Sequence, residues 1–235
     1  VLEWLGIPDL RGSNTQIPFA HGTRWVKKRY DHRKVVFAMW IRGRDRTELD
    51  QNIDDFLRTF GRPGTHSLQR TLSSGMVREA QAELASAIQM VRKSPNHVKF
   101  ALELELADPF FYDTKLTEET KTVASSPLEW THENPGTAVT VGLEIVLSGP
   151  LQNPLLRNRS NDVWLQYLAP IAADETVVID TKAFTCVAGD ENRMMALRHG
   201  GDAYWMVLQA GQNLLRLESD TAGGTVTLRY RPAYY

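Results

Sequence analysis

Between Phe100 and Leu106 the chain alternates without error, with Phe100, Leu102, Leu104 and Leu106 on one side and Ala101, Glu103 and Glu105 on the other. A period of two puts the apolar set on one sheet face, so this is a half-buried strand. Pro109 cannot donate to a ladder and ends the strand. Phe110, Phe111 and Tyr112 follow, and after Asp113 the composition turns polar. A strand stopped this way near mid-chain reads as the close of one domain and the exit into another.

A chain of 235 residues holds one large or two small domains, each with its own core. Lys plus Arg total 27 against 28 for Asp plus Glu, a net charge of -1. That balance argues against a dedicated nucleic-acid binder, which carries a basic excess. Cys186 is the single cysteine, which excludes an internal disulfide and a multi-cysteine metal site. No apolar run approaches the ~20 residues of a membrane span, and no signal peptide heads the chain. The first residue is Val, so further residues are expected upstream.

Residues 1–22 carry Gly6, Pro8, Gly12, Pro18 and Gly22 and read as extended loop, with Trp4, Leu5 and Phe19 as isolated anchors. A basic stretch follows at Arg24, Lys27, Lys28, Arg29, Arg33 and Lys34, and Val35, Phe37, Met39 and Ile41 then alternate as a strand. A solvated ribbon accounts for these charges, and a subunit contact remains open within it. Residues 45–60 make the clearest helix: Leu49, Ile53, Phe56, Leu57 and Phe60 form one stripe. Asp45 or Thr47 caps it, Gly61 suits a left-handed C-terminal position, and Pro63 prevents continuation. The carboxylates Glu48, Asp50, Asp54 and Asp55 lack a histidine companion and read as a solvated face.

His66–Leu72 reads as a short strand. For residues 76–91 helical propensity and strand alternation compete, with propensity leaning to helix. Ser94-Pro95-Asn96 is a turn into the opening strand. Residues 114–126 are Thr-, Ser- and Lys-rich and are expected as a linker, or as an exposed first strand. Beyond them Val139–Leu147 alternates, Val163–Leu168 and Thr176–Asp180 are strands about a turn at 172–175, and turn signals recur about every ten residues. The second half is therefore an all-β sandwich of jelly-roll or galectin-like type. Trp130, Trp164, Tyr204 and Trp205 are its candidates for stacking on a sugar, against the more ordinary role of core aromatics.

Chemistry is sparse. No phosphate loop, serine elbow or paired-cysteine pattern occurs, and the six histidines have no ligand spacing. Glu103 and Glu105 lie roughly 7 Å apart by strand rise, within the span of a glycosidase pair. Sharing one strand face, they read better as its solvent or subunit side. Catalysis, metal and cofactor are not expected.

The order of motifs does resemble a known family. Arg11-Gly12-Ser13-Asn14 and His21-Gly22 precede the Trp25–Gly43 strand region and one helix. Asp108-Pro109-Phe110-Phe111-Tyr112-Asp113, Asn134-Pro135-Gly136-Thr137-Ala138, Asn153-Pro154, Val177-Val178-Ile179-Asp180-Thr181 and Gly211-Gln212-Asn213-Leu214 follow. This is similar to the distal tail proteins (minor tail proteins) of long-tailed siphophages, those of actinobacteria in particular. The resemblance implies a mainly β chain: an N-terminal ring-forming β domain with one helix (1–113), a linker (114–126) and a C-terminal galectin-like sandwich (127–235). It favours a strand over 76–91. It also implies a virion protein at the distal end of the tail: a homo-hexameric ring between the tail tube protein and the tail-tip or baseplate hub protein, with DNA passing non-specifically through its lumen.

A closed ring needs complementary surfaces on opposite sides of one subunit. Arg24, Lys28, Arg29 and Arg33 against Glu48, Asp54 and Asp55 are the candidate subunit contacts. Phe110, Phe111 and Tyr112 are the candidate domain junction. The alternative is an adsorption protein whose sandwich binds host cell-wall glycans through Trp130, Trp164 and Trp205.

Overall fold

The alternation at Phe100–Leu106 is realised as the strand His97–Leu106, which pairs antiparallel along its whole length with Arg33–Arg42. These coordinates are a computed structural model describing residues 6–19, 21–201 and 205–235, so Trp4, Leu5 and Tyr204 lie outside the described residues. The chain divides into two compact units, one running to Phe111 and including Tyr235, the other Tyr112–Tyr234.

In the first unit Val98, Phe100, Leu102, Leu104 and Leu106 are all buried, as period two requires. The helix Arg46–Phe60 covers this face. Leu49 is fully buried, and Phe56 meets Phe100 at a ring separation of 4.8 Å. Leu57, expected in the buried stripe, is instead exposed, because it sits at the rim of the covered arc. Asp45 caps the helix by accepting the Glu48 N–H at 2.9 Å, an arrangement worth about 1 kcal/mol. Gly61 ends the helix in a right-handed conformation with φ of -79°, not the left-handed one expected. Glycine is required for space: a β-carbon there would lie 2.5 Å from the Leu57 carbonyl oxygen.

Residues 76–91 contain the strand Val77–Leu84, a non-regular stretch, and the start of Val91–Ser94. Val77–Leu84 pairs with His66–Thr71 and, at its end, with the central strand, burying Ala80 and Ala82. Tertiary pairing overrides the local helical preference here. Val91–Ser94 turns back onto the central strand across Pro95-Asn96.

The second unit is a two-layer sandwich. Its six-stranded sheet runs Thr117–Thr122, Thr225–Tyr230, Glu144–Ser148, Thr176–Asp180, Thr185–Ala188, Glu191–Asn192. Its five-stranded sheet runs Leu128–Asn134, Gly211–Glu218, Leu155–Asn158, Val163–Tyr167, Leu197–Gly200. Facing rows such as Leu228–Ile145–Ile179–Cys186 and Leu217–Leu156–Leu165 belong to one buried cluster.

Of the two readings of residues 114–126, the exposed first strand holds: Thr117–Thr122 is a strand of the sheet, held by Thr225–Tyr230 and by a Thr120–Thr227 hydroxyl contact at 2.8 Å. Two expectations need correcting here. The strands Val163–Tyr167 and Thr176–Asp180 do not return on each other but lie in opposite sheets, so the turn at 172–175 crosses the sandwich. Val139 and Val141 are exposed while Leu143, Ile145 and Leu147 are buried, because Gly142 at φ of 81° breaks the strand and resets its face.

Candidate assembly surface

The part of the first unit N-terminal to Arg33 is an arm built of two nested antiparallel pairings, Leu10–Arg11 with Arg29–Tyr30 and Thr15–Gln16 with Thr23–Arg24. All its paired residues are exposed except Tyr30, which is half-buried. Phe19, expected as an anchor, is instead fully exposed with φ of 59°. Ile7, Leu10, Ile17, Trp25 and Val26 are exposed with it, Trp25 to 82%. A concentration of large apolar side chains on a narrow polar scaffold marks a surface that another protein covers.

The basic candidates separate. Arg24, Lys28 and Arg29 are exposed on the arm. Arg33 is 7% exposed, and its guanidinium donates to the Gly6 carbonyl at 2.7 Å and the Pro109 carbonyl at 3.4 Å, over the Phe111 ring. Burial, then the like charge of Arg70, lowers its pKa. Arg33 is therefore a structural cation inside its own unit and no subunit contact. Arg33→Ala is expected to lower the first unit's stability by roughly 1–3 kcal/mol, since two part-buried carbonyls lose a charged donor. Arg29→Ala should stay within about 0.5 kcal/mol in the same thermal melt.

The acidic candidates lie on the exposed side of the helix, largely engaged at home. Glu48 reaches back to the Arg44 backbone N–H at 2.6 Å and its Nε at 2.9 Å, and these hydrogen bonds hold its carboxyl below the usual value. Asp55 pairs with Arg58 at 3.0 Å and Asp50 with Arg92 at 2.8 Å. Asp54 has no ion pair among the described residues. At this degree of exposure such pairs are weak enough to exchange for another partner.

The strand Arg33–Arg42 is the second feature. One edge is bonded to the central strand, and among the described residues nothing pairs with the other edge. An edge that no described strand pairs with is a ready template for a further strand. Trp40 projects from the face away from the helix and is 61% exposed, touching the His97 ring edge-on at 6.0 Å. On that same face Lys34 and Lys99 stand among Glu103, Glu105 and Glu83, the last two directly opposite each other. Sequence reasoning did not single out Trp40 or Trp25. The available signal for Trp40 was a tryptophan on the solvent side of an alternating strand.

Each exit aromatic has a contact inside its own unit. Phe110 is buried against Tyr30 at 5.4 Å and Tyr235 at 5.9 Å, and Phe111 lies under Arg33. Tyr112, in the second unit, carries the Lys182 ammonium 5.9 Å from its ring centre.

The three tryptophans named for sugar stacking form no platform. Trp205 is buried between Phe184 and His199, and Trp130 packs against the sandwich core. Trp164 alone faces outward, its indole laid over Gly200, where a β-carbon would come within 2.4 Å of the ring. Cys186 is fully buried, and burial pushes its thiol up to about 11. Among the described residues no helix is long and apolar enough to cross a membrane.

No family model and no curated protein matches the sequence. Among solved structures, the SPP1 Dit (gp 19.1) protein superposes with a TM-score of 0.67 at 17% identity. That protein is a hub of the adsorption apparatus in phages infecting Gram-positive bacteria, and the match covers 96% of this chain and 89% of that one. A second match, to the phage P2 baseplate in its activated conformation with Ca, has a TM-score of 0.43 at 10% identity over 96% and 87% of the two chains, too loose to argue from. The first superposition establishes that both units, in order, have the fold of a phage distal tail protein.

Proposed function

We propose that this chain is a non-enzymatic structural protein of a phage tail, assembling as a closed ring, six copies in the family pattern, at the distal end of the tail tube. The observation carrying this reading is the open edge of Arg33–Arg42 beside an apolar arm, on a chain with the hub fold. An open strand edge and an apolar arm give one unit two unlike surfaces, and a head-to-tail contact between unlike surfaces closes into a ring when its rotation closes.

In this ring the arm, with Phe19, Trp25, Arg24, Lys28 and Arg29, lies on the neighbouring copy, and its cations exchange into the helix carboxylates Asp54 and Asp55. The part of the sheet face away from the helix that carries Glu83, Glu103 and Glu105 lines the channel, and Trp40, at the strand edge of that face, lies under the neighbouring copy. The three carboxylates stand there with Lys34, Arg42 and Lys99, a near-balanced lining that gives passing DNA little to bind. The tail tube protein and the tip or baseplate hub protein are the axial partners.

The test is the purified chain's mass by light scattering over a concentration series, with class averages of the largest species. A closed ring with a central channel is expected. A monomer throughout, at concentrations near those of a crowded tail tip, would sink the reading.

A further inference from the structure

An open cleft of about 360 Å³ lies at one end of the five-stranded sheet, on its outer face. That size falls within the ~300–1,000 Å³ range of small-molecule sites. Its floor is the cross-strand row Glu218–Leu155–Gln166, and Pro127 and Leu168 add apolar walls. Leu168 is 45% exposed, an apolar contact left uncovered.

The polar groups around this floor are held in place. Asn153 donates to Asp220 at 2.8 Å, and Arg216 donates to Glu218 at 2.6 Å and to Glu129 at 3.0 Å. The Ser219 hydroxyl donates to the Gln152 carbonyl at 2.9 Å, and its backbone N–H donates to the Ser126 hydroxyl at 2.9 Å. The Gln166 side-chain amide has no hydrogen-bond partner among the described residues. The cleft thus presents fixed amide, carboxylate and hydroxyl groups around a small apolar patch, with little left to order on binding.

The chemistry narrows the ligand. Glu218 and Asp220 repel phosphate and carboxylate ligands, and Arg216 is already neutralised by two glutamates, so an anion gains no clamp. The lining has too little continuous apolar surface for a hydrophobic small molecule or an apolar peptide anchor. A ligand with many hydroxyls and a C–H face satisfies both parts at once. We infer that this cleft binds a neutral saccharide, its hydroxyls on Gln166, Glu218 and Asp220 and its C–H face on Leu155 and Leu168. The site is separate from the tryptophans discussed above, and it stands whether or not the chain forms a ring.

The test screens the full chain on an array of neutral hexose and N-acetylhexosamine oligosaccharides, then titrates the strongest one by calorimetry. Gln166→Ala and Glu218→Gln are each expected to weaken binding at least tenfold. Met195→Ala, on the same unit, 89% exposed and outside the cleft, should leave it unchanged. Circular dichroism melts confirm that each variant is folded. The inference is overturned if no oligosaccharide binds at millimolar concentration, or if binding survives both cleft substitutions. It is equally overturned if the cleft variants lose a tail-protein partner while no saccharide binds, which would make this face a protein interface.

Discussion

His132→Ala is expected to destabilise the sandwich by roughly 2–4 kcal/mol, a large fraction of a domain's usual margin. His132 is 3% exposed on Leu128–Asn134, in the five-stranded sheet. Its Nδ1 bonds Glu119, and its Nε2 meets the Tyr230 hydroxyl at 2.7 Å, both on the six-stranded sheet. One imidazole therefore spans the two layers. The Glu119 carboxylate only accepts, so Nδ1 donates to it, and burial raises the Tyr230 phenol well above its ordinary value, so the phenol keeps its proton beside Nε2. Truncation orphans the buried Tyr230 hydroxyl and leaves Glu119 with Lys121 alone, and an unpaired buried group costs more than a hydrogen bond contributes. Lys121→Ala removes only the half-exposed partner of Glu119 and should cost under about 1 kcal/mol. Urea unfolding that placed the two variants together would refute this assignment.

The same cluster sets an acid limit. Burial pushes the Glu119 carboxyl up, but the hydrogen bonds from Lys121 and His132 outweigh it and hold the pKa below the ordinary glutamate value. A carboxylate depressed in the folded state contributes stability that is complete above its unfolded value and is lost as pH falls through the folded one. Wild-type urea midpoints should therefore fall more steeply between about pH 5 and about pH 3 than those of Glu119→Gln. Parallel curves would mean that Glu119 contributes nothing to the acid response.

Nothing in the spacing of Glu119, His132 and Tyr230 announced this cluster, because it is a product of strands meeting across a sandwich. The elements themselves were more readable. The helix at 45–60 and the strand ending at Leu106 follow from periodicity, which one face of a core enforces. Asn134, Asn158 and Asn213 show the intermediate case. Sequence set the segments at 134–138 and 211–214 apart as motifs. It did not show that the Asn158 amide donates to the Asn213 side-chain oxygen at 2.9 Å, or that Asn213 in turn holds Gln209 and Gly211. Charge gave the weakest guidance to the assembly surface, since an arginine reads alike in solvent and in a core. Arg29 and Arg33 are four positions apart in the same basic run, yet one is exposed and the other almost wholly enclosed.

That difference decides how the ring should be tested, because reversing Arg33 would damage the first unit whether or not a ring exists. Trp40→Glu is the better probe. Its indole is exposed beside the open strand edge and touches only the His97 ring edge, so the folded subunit should lose no more than about 0.5 kcal/mol. If Trp40 is covered in the assembly, a buried charge replaces a large aromatic anchor there, a loss of about 2 kcal/mol or more per contact. Subunit affinity should then fall by roughly 30-fold or more. Sedimentation velocity would show the oligomer replaced by free subunits with an unchanged melting temperature. The arm is tested separately by exchange of charge. Arg29→Glu should weaken assembly, and adding Asp54→Lys in the same chain should restore part of it, because each subunit offers its arm to one neighbour and its helix to the other. Equal weakening in the single and double variants would break the pairing of arm with helix while leaving the strand-edge contact to stand or fall on Trp40.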